Sequence, residues 1–427
     1  MKKIINGVLI IFLSIILGSL AMFCVYSLPT ERIYEHVEES EYLFEEAKGK
    51  ITNWSGEYKQ YSKIDNSTDS LMLLESICRY YDSNIYNCLL NPRNTVSDDY
   101  NEDYSSSDIS VYLEHCGDEV EIYPRYWHGY LLYVIPSLLF FNYGEIRVLL
   151  MTIQIVLIVL LGFELMKINK LLAIPFCLLI AIINPVTTSL NLATAFVFVF
   201  SMIESLILIY VKKPKKDFIF YFFLISGILT AFFDYLTYSP LCLGLPLTVY
   251  LLTNDNDYKS GIKTVFISGI SFVFGYAFMW FGKWAIATLL TDVNVIGDGI
   301  NSSIYRSSEI PTGLSTMGYC ETLDKLFSIL QDRAMTLIIY SFIIIFVLMI
   351  IIFYRKDIKI KGKSLLSIIP FIIIAIIPFV WYFVVRNHSI SHSYFEYRQL
   401  SLTFFAIMAS IINIINKSSS KDLLNQK

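Results

Sequence analysis

The stretch IRVLLMTIQIVLIVLLGFELMKINKLLAIPFCLLIAIINPVTTSLNLATAFVFVFSMIESLILIYVKKPKK (residues 146–216) decides the fold class. It holds three apolar blocks, 146–166, 171–190 and 193–211. Each is close to the roughly 20 residues that a helix needs to cross about 30 Å of hydrocarbon. Lys167 and Lys170 follow the first block, and Lys212, Lys213, Lys215 and Lys216 follow the third. Similar blocks recur at 4–27, 218–236, 239–253, 264–287, 334–354, 365–385 and 399–415. Hydrophobic residues make up 55% of the 427 residues, more than a soluble chain of this length carries. The pattern predicts an all-α, polytopic transmembrane helix bundle of ten spans.

The remaining cations orient those spans. Lys2 and Lys3 precede the first; Lys259 and Lys263 follow the sixth. Arg355, Lys356, Lys359, Lys361 and Lys363 follow the eighth, and Lys417, Lys421 and Lys427 end the chain. With ten spans every cluster falls on one side, which is the positive-inside pattern. The expectation is a multi-pass plasma-membrane protein with both termini in the cytoplasm. Its divisions are a first span (1–27), an extracytoplasmic loop subdomain (28–127), an interfacial or re-entrant helix (128–143), the bundle (144–416) and a cytoplasmic tail (417–427). The first span lacks a small-x-small cleavage site and is read as a retained anchor.

Residues 131–141 are apolar over only about half a bilayer and contain Pro136; extended to 126–143 they would be long enough for a span. Counting them as a span would break the lysine pattern, so they are read as re-entrant or interfacial. Tyr126, Trp127, Tyr130, Tyr133 and Tyr143 suit the headgroup level. The formal charge of −4 divides into basic inner edges and an acidic outer loop. No basic outer patch is evident, which argues against nucleic acid as a partner.

In the large loop, residues 31–48 predict a helix with Ile33, Val37, Phe44 and Ala47 on one stripe. A second helix is predicted over 65–81, capped by Asn66, with Asp69 three residues on and Leu71, Leu74, Ile77 and Cys78 as its apolar face. Both read as helices resting on the membrane surface or on the bundle. Residues 92–109 are polar and turn-rich, including Asp98 and Asp99. Cys78, Cys88, Cys116 and Cys320 fall outside the membrane, where disulfides are permitted, but their spacing reveals no pairing.

All five histidines, His36, His115, His128, His388 and His392, fall in outer segments. The densest constellation is Asn387-His388-Ser-Ile-Ser-His392-Ser-Tyr-Phe-Glu396-Tyr-Arg398. The two histidines are four apart, so a helix puts them on one face. With Glu396 they are a plausible metal set, and with Arg398 a plausible phosphate clamp. The plainer reading is a polar loop. Tyr123-Pro-Arg125-Tyr-Trp127-His128-Gly offers an arginine and a histidine among aromatics, fit either to hold a phosphate or to anchor at the interface. Asp234, at the outer end of the fifth span, is a functional carboxylate or an ordinary helix-end aspartate. Asp65 and Asp69 are each a general base or metal ligand, or a helix cap. Glu204 looks deep in a span and needs a partner. The chain holds no P-loop, no GxSxG elbow and no HExxH.

The layout, a first span leading into a long outer loop with helices at 31–48 and 65–81 and then a many-span bundle, resembles the GT-C class of membrane glycosyltransferases. The likeness is architectural. Where many members carry an acidic pair directly after the first span, this chain reads Pro29-Thr30-Glu31-Arg32. The resemblance implies a polyprenyl-phosphate-linked sugar as donor and a cell-envelope acceptor. It implies a carboxylate of the first outer loop as base or metal ligand; the candidate ligands for a divalent metal read from the residues are Asp69, His388, His392 and Glu396. It implies Asp65 or Asp69 for the acid role, and Arg125, His128, His388, His392 or Arg398 for the phosphate; Asp234 is a catalytic candidate from its position alone. Two other readings are a transporter or flippase for a lipid-linked substrate, which wants polar residues at mid-membrane, and a non-catalytic scaffold. The sequence does not settle oligomeric state.

Overall fold

The computed structural model describes residues 2–45, 51–54, 59–95, 109–115, 119–212, 214–215, 217–254, 257–312, 315–354 and 365–424. Asp98, Asp99, Cys116, Arg355, Lys356, Lys359, Lys361, Lys363, Lys213, Lys216 and Lys427 lie outside these, as does the side chain of His115.

The described residues are predominantly helical, with three two-stranded antiparallel sheets. Every one of the ten apolar blocks contains a helix. Seven helices are long and apolar enough to cross a membrane: Lys2–Tyr26, Tyr143–Ile168, Leu192–Tyr210, Tyr258–Leu290, Arg333–Tyr354, Leu366–Val384 and Ser393–Lys417. The others, Lys170–Ile183, Phe218–Phe233 and Ser239–Thr253, are shorter. The block at 171–190 is broken rather than continuous. Asn184 adopts a left-handed conformation (φ 59°) and Pro185 opens a new short helix. A residue before proline is pushed out of the helical region, and asparagine is among the few that tolerate the left-handed one.

The helices Phe218–Phe233 and Tyr258–Leu290 form the closest pair in the bundle. Their contact rests on two glycines. A β-carbon on Gly227 would sit 2.1 Å from the Phe272 carbonyl oxygen, and one on Gly275 would sit 2.2 Å from that of Leu224. Small residues let two backbones approach this closely, which is how apolar helices associate without a hydrophobic driving force. Arg333–Tyr354, by contrast, fully buries only Met335, Ile339 and Phe346, with Ile338, Phe342, Ile343 and Ile350 partly packed and Leu337, Ile344, Leu348 and Ile352 exposed.

The described residues between 28 and 142 share one core with the bundle: Ile33, Val37, Phe44, Met72, Leu73, Leu74 and Leu131 pack in the same cluster as Met22, Leu224, Phe232 and Met279. Three expectations for this region are corrected. The first predicted helix is two, Glu31–Glu38 and Tyr42–Glu45. The second is Asn66–Ile77, and its cap is Asp65, not Asn66: the Thr68 amide donates to Asp65 Oδ1 at 3.0 Å. It is not a surface helix with one dry stripe, because Asn66, Asp69, Ser70, Met72 and every residue from there to Ile77 are buried. Residues 126–143 contain the short helix Leu131–Leu138, packed against the first helix, Glu31–Glu38 and Asn66–Ile77. Its aromatics do not form an outward belt. Tyr126, Trp127, Tyr130 and Tyr143 are all buried, each large ring having somewhere to put its polar tip. Trp127 Nε1, for example, donates to the Met279 carbonyl at 2.8 Å. Among the described residues Cys78, Cys88 and Cys320 are free thiols.

Candidate functional site

A cavity of about 340 Å³ lies between the loop region and the ends of the bundle helices. Five of the candidates read from sequence line it together: Asp65, Arg125, His388, His392 and Arg398. They come from residues 65, 125 and 388–398, so only the fold brings them together. Lys63, Arg93, Arg306 and Glu121 join them, with Tyr123, Tyr126, Tyr235 and Tyr394.

The cations of this cavity fall into two kinds. Arg93 pairs with Glu121 (Nη2–Oε2 2.6 Å) and Arg125 with Asp298 (Nη1–Oδ1 3.3 Å). Arg398 is fully buried and has no such partner. Its Nη1 donates to the Tyr238 hydroxyl at 2.7 Å, and among the described residues no carboxylate reaches it, while Nε and Nη2 have no hydrogen-bond partner. Arg306 is half-buried and also lacks a carboxylate among the described residues: its Nε donates to Ser302 Oγ at 3.4 Å, its Nη1 to His388 Nδ1 at 3.2 Å, and its guanidinium lies 5.3 Å from the Tyr126 ring. A buried guanidinium without an acid is costly to hold, because desolvation is not repaid.

His388 is held neutral. Arg306 occupies Nδ1 as donor, and Nε2 lies 3.1 Å from the Leu236 carbonyl, so the ring carries its proton on Nε2; this tautomer follows from the bonding pattern. Burial, then the neighbouring His392 and Arg306, pushes its pKa well below the usual imidazole value. His392 is pushed down to about 4, chiefly by burial, partly opposed by Asp65. Its Nδ1 is buried and unpartnered. The two histidines are therefore uncharged donors or acceptors at neutral pH, and the arginines carry the charge.

Asp65 is the acid of the cavity nearest these groups. Its Oδ2 accepts from the Tyr394 hydroxyl at 2.6 Å and from Thr68 Oγ1 at 2.8 Å, and its Oδ1 from the Thr68 amide at 3.0 Å. A carboxylate offers about four acceptor sites, so one on Oδ1 remains.

The other four candidates do not line the cavity. Asp69 is buried behind it, accepting from the Leu192 amide (2.9 Å to Oδ2) and the Tyr143 hydroxyl, with Arg147 at 4.0 Å. Burial raises its pKa to about 6 against the pull of Arg147. Asp234 holds a turn: its Oδ1 accepts from the Thr237 amide (2.9 Å) and hydroxyl (2.5 Å) and its Oδ2 from Ser239 Oγ (2.6 Å). That turn contains Leu236 at φ 64°, a strained conformation for a branched side chain, and delivers its carbonyl to His388. Glu396 is buried beneath the cavity, accepting from Gln399 Nε2 at 2.6 Å. His128 belongs to a separate buried network. Its Nδ1 lies 2.8 Å from Glu75 Oε2 and 2.6 Å from the Tyr235 hydroxyl, and its Nε2 2.7 Å from the Tyr123 carbonyl. Tyr130 also donates to Glu75, and Tyr26 does so at 3.2 Å. Two bare acceptors do not sit 2.8 Å apart, so Glu75 and His128 share one proton.

The expected metal set is therefore not assembled. Asp69 bonds elsewhere, and Glu396 Oε1 is 3.7 Å from His388 Nε2. Among the described residues no three His, Cys, Asp or Glu gather as metal ligands. Sequence reading missed Arg306, Arg93, Lys63, Glu121 and Tyr394. Arg306 ends a helix, Val295–Ser307, that carries no other cation, which is a faint signal at best.

Beside the cavity runs an apolar groove of about 580 Å³ between the helices Tyr258–Leu290 and Ile369–Val384. Tyr276, Trp280, Ile377 and Val380 line it, and Arg306 belongs to both its wall and that of the cavity. The molecule is thus an α-helical bundle with long apolar helices and one arginine-rich cavity opening beside an apolar groove. No protein-family model, curated protein or solved structure matches the chain.

Proposed function

We propose that this protein is an integral membrane glycosyltransferase that takes its sugar from a polyprenyl-phosphate-linked donor and passes it to a cell-envelope glycan or lipid. The observation that carries the reading is the pair Arg306 and Arg398. Both line one cavity, Arg398 fully buried and Arg306 half-buried, neither has a carboxylate partner among the described residues, and Arg306 also lines an apolar groove. A phosphate on a long hydrocarbon chain matches that combination: guanidinium groups bind phosphate through paired donors, and the chain is at home in the groove.

In this reading ten helices span the plasma membrane with both termini cytoplasmic, and the cavity faces the extracytoplasmic side. The lysine-rich inner connections support that orientation. The three shorter helices reach across because the bundle, not lipid, surrounds them: Ser239–Thr253 is buried from Ser239 to Leu251.

The chemistry then divides among residues already described. The acceptor hydroxyl attacks the anomeric carbon of the donor sugar, and the bond from that carbon to the phosphate oxygen breaks. Its electron pair leaves on the phosphate, where Arg306 and Arg398 meet the growing charge in a site with little water. The acceptor proton passes to Asp65 through the free position on Oδ1. His388 and His392, neutral, donate or accept hydrogen bonds without adding charge.

The test is sugar transfer by purified protein in lipid nanodiscs, supplied with polyprenyl-phosphate sugars. Asp65→Asn is expected to lose turnover while retaining donor binding, and Arg398→Met to lose both. Donor binding without transfer in the wild type, across several sugars, acceptors and divalent metals, would move the protein to transport of the same lipid. No donor binding would overturn the reading.

A further inference from the structure

The helix Tyr258–Leu290 contains four glycines, and three of them have a neighbour that explains the missing side chain. A β-carbon on Gly261 would lie 2.8 Å from Pro370, one on Gly275 2.2 Å from the Leu224 carbonyl and one on Gly282 2.3 Å from Ile15. At Gly269 a β-carbon would meet nothing within 4 Å. Glycine inside a helix is unfavourable unless close packing demands it. No protein atom makes that demand here.

The space over Gly269 has an address. It lies where the groove beside Arg306 meets a second apolar hollow of about 470 Å³, floored by Val265, Phe266 and Ile270. The two share Leu243, Gly269, Val273, Ile373 and Ile377. Together they follow one face of the helix from Trp280 down to Phe266, about 20 Å at the rise of an α-helix. Phe266, Ile270 and Val273 on that face are more than half exposed, so the two hollows form one open furrow along the outer surface of the helix, and a side chain at Gly269 would stand up in it.

We propose that Gly269 is the specificity residue for chain length. It keeps clear a continuous furrow for the hydrocarbon tail of a single prenyl phosphate, whose head sits at Arg306, so that the site favours chains long enough to pass it. The inference rests on the reading of Arg306 and Arg398 as a phosphate seat. The placing of Arg306 in the walls of both groove and cavity is what singles out this occupant over bulk lipid, since bulk lipid has no reason to place an anion at the cavity wall.

The experiment measures affinity of the full-length protein, in detergent micelles, for geranyl phosphate and undecaprenyl phosphate. The variants are Gly269→Leu, Gly269→Ala and Arg398→Met. Leucine is a good helix former entering open space, so folding is retained, which thermal unfolding checks. The wild type is expected to bind the long chain more tightly, because each further buried methylene adds affinity. Gly269→Leu is expected to weaken undecaprenyl phosphate by about tenfold or more and to leave geranyl phosphate unchanged, with Gly269→Ala between. If Gly269→Leu binds both lipids as the wild type does, while Arg398→Met binds neither, the phosphate seat stands and the chain-length role is overturned. If Arg398→Met binds both as the wild type does, or the wild type binds neither, the seat itself falls and this inference with it.

Discussion

Two buried polar clusters in this protein handle charge in opposite ways. Around Glu75, every group has an answer: one proton shared with His128, hydroxyls from Tyr26 and Tyr130, and Lys283 nearby, itself bonded to the Cys88 carbonyl (2.8 Å) and Asn91 (2.7 Å). Around Arg398 and Arg306, two guanidinium groups face a cavity with hydroxyls and a neutral histidine for company. The first cluster ties the first helix, the loop region and the Tyr235 turn together. The second is electrostatically incomplete. A folded chain tolerates an incomplete cluster where a ligand completes it, and a complete one wherever it needs rigidity.

That contrast can be broken by substitution, because the two clusters should respond with opposite signs. The largest effect is expected at Glu75. Glu75→Ala leaves His128 and its hydroxyls facing a void, and breaking a buried pair from one side costs about 3–5 kcal/mol. Thermal unfolding in micelles should show a large loss of stability. A variant as stable as the wild type would mean that this network is not structural.

Asp69 gives the next effect, through pH. Its folded pKa, raised to about 6 by burial, lies above the unfolded value of 3.8, so the folded state holds the proton more tightly. Stability is therefore expected to be greatest below the unfolded value and to fall as pH rises towards 6, by on the order of 3 kcal/mol in all. Asp69→Asn keeps an acceptor for the Leu192 amide and should flatten that slope. An unchanged slope would assign the pH dependence to another group.

Arg398→Met comes third, and its sign is the informative part. Loss of the charge-assisted bonds should weaken prenyl-phosphate binding by about 2–3 kcal/mol, roughly a hundredfold. In the ligand-free protein the same change removes an unpaired buried charge and should leave stability unchanged or raise it. Smallest of all is Arg125→Ala. Arg125 already pairs with a half-exposed Asp298, so binding should change by less than about 1 kcal/mol. An Arg125→Ala loss equal to that of Arg398→Met would erase the distinction between paired and unpaired cations.

The sequence disclosed the bundle because hydrophobic blocks of bilayer length are a strong signal, and each block does hold a helix. It disclosed five cavity residues because histidine, arginine and aspartate are scarce in such a chain and stand out. Two other candidates, Asp234 and His128, stand apart from the cavity. For Asp234 a local role was legible: Thr237 and Ser239 follow at positions where a side-chain turn forms. For His128 nothing local points to Glu75, 53 residues earlier in the chain. Arg306 was missed for the same reason in reverse. It is an unremarkable helix-end cation until the fold sets it beside His388, 82 positions away. Asp69 looked like a first-turn carboxylate in water, and only the packing of Leu192 and Tyr143 over it makes it a buried one.

The most direct test of the unpaired arginines is thermal unfolding of the full-length protein with undecaprenyl phosphate and, separately, with undecaprenol. The alcohol has the same chain and no charge. Stabilisation by the phosphate alone, lost in Arg398→Met and kept in Arg125→Ala, is the predicted result. Equal stabilisation by both lipids, or by the phosphate in Arg398→Met, would contradict the account.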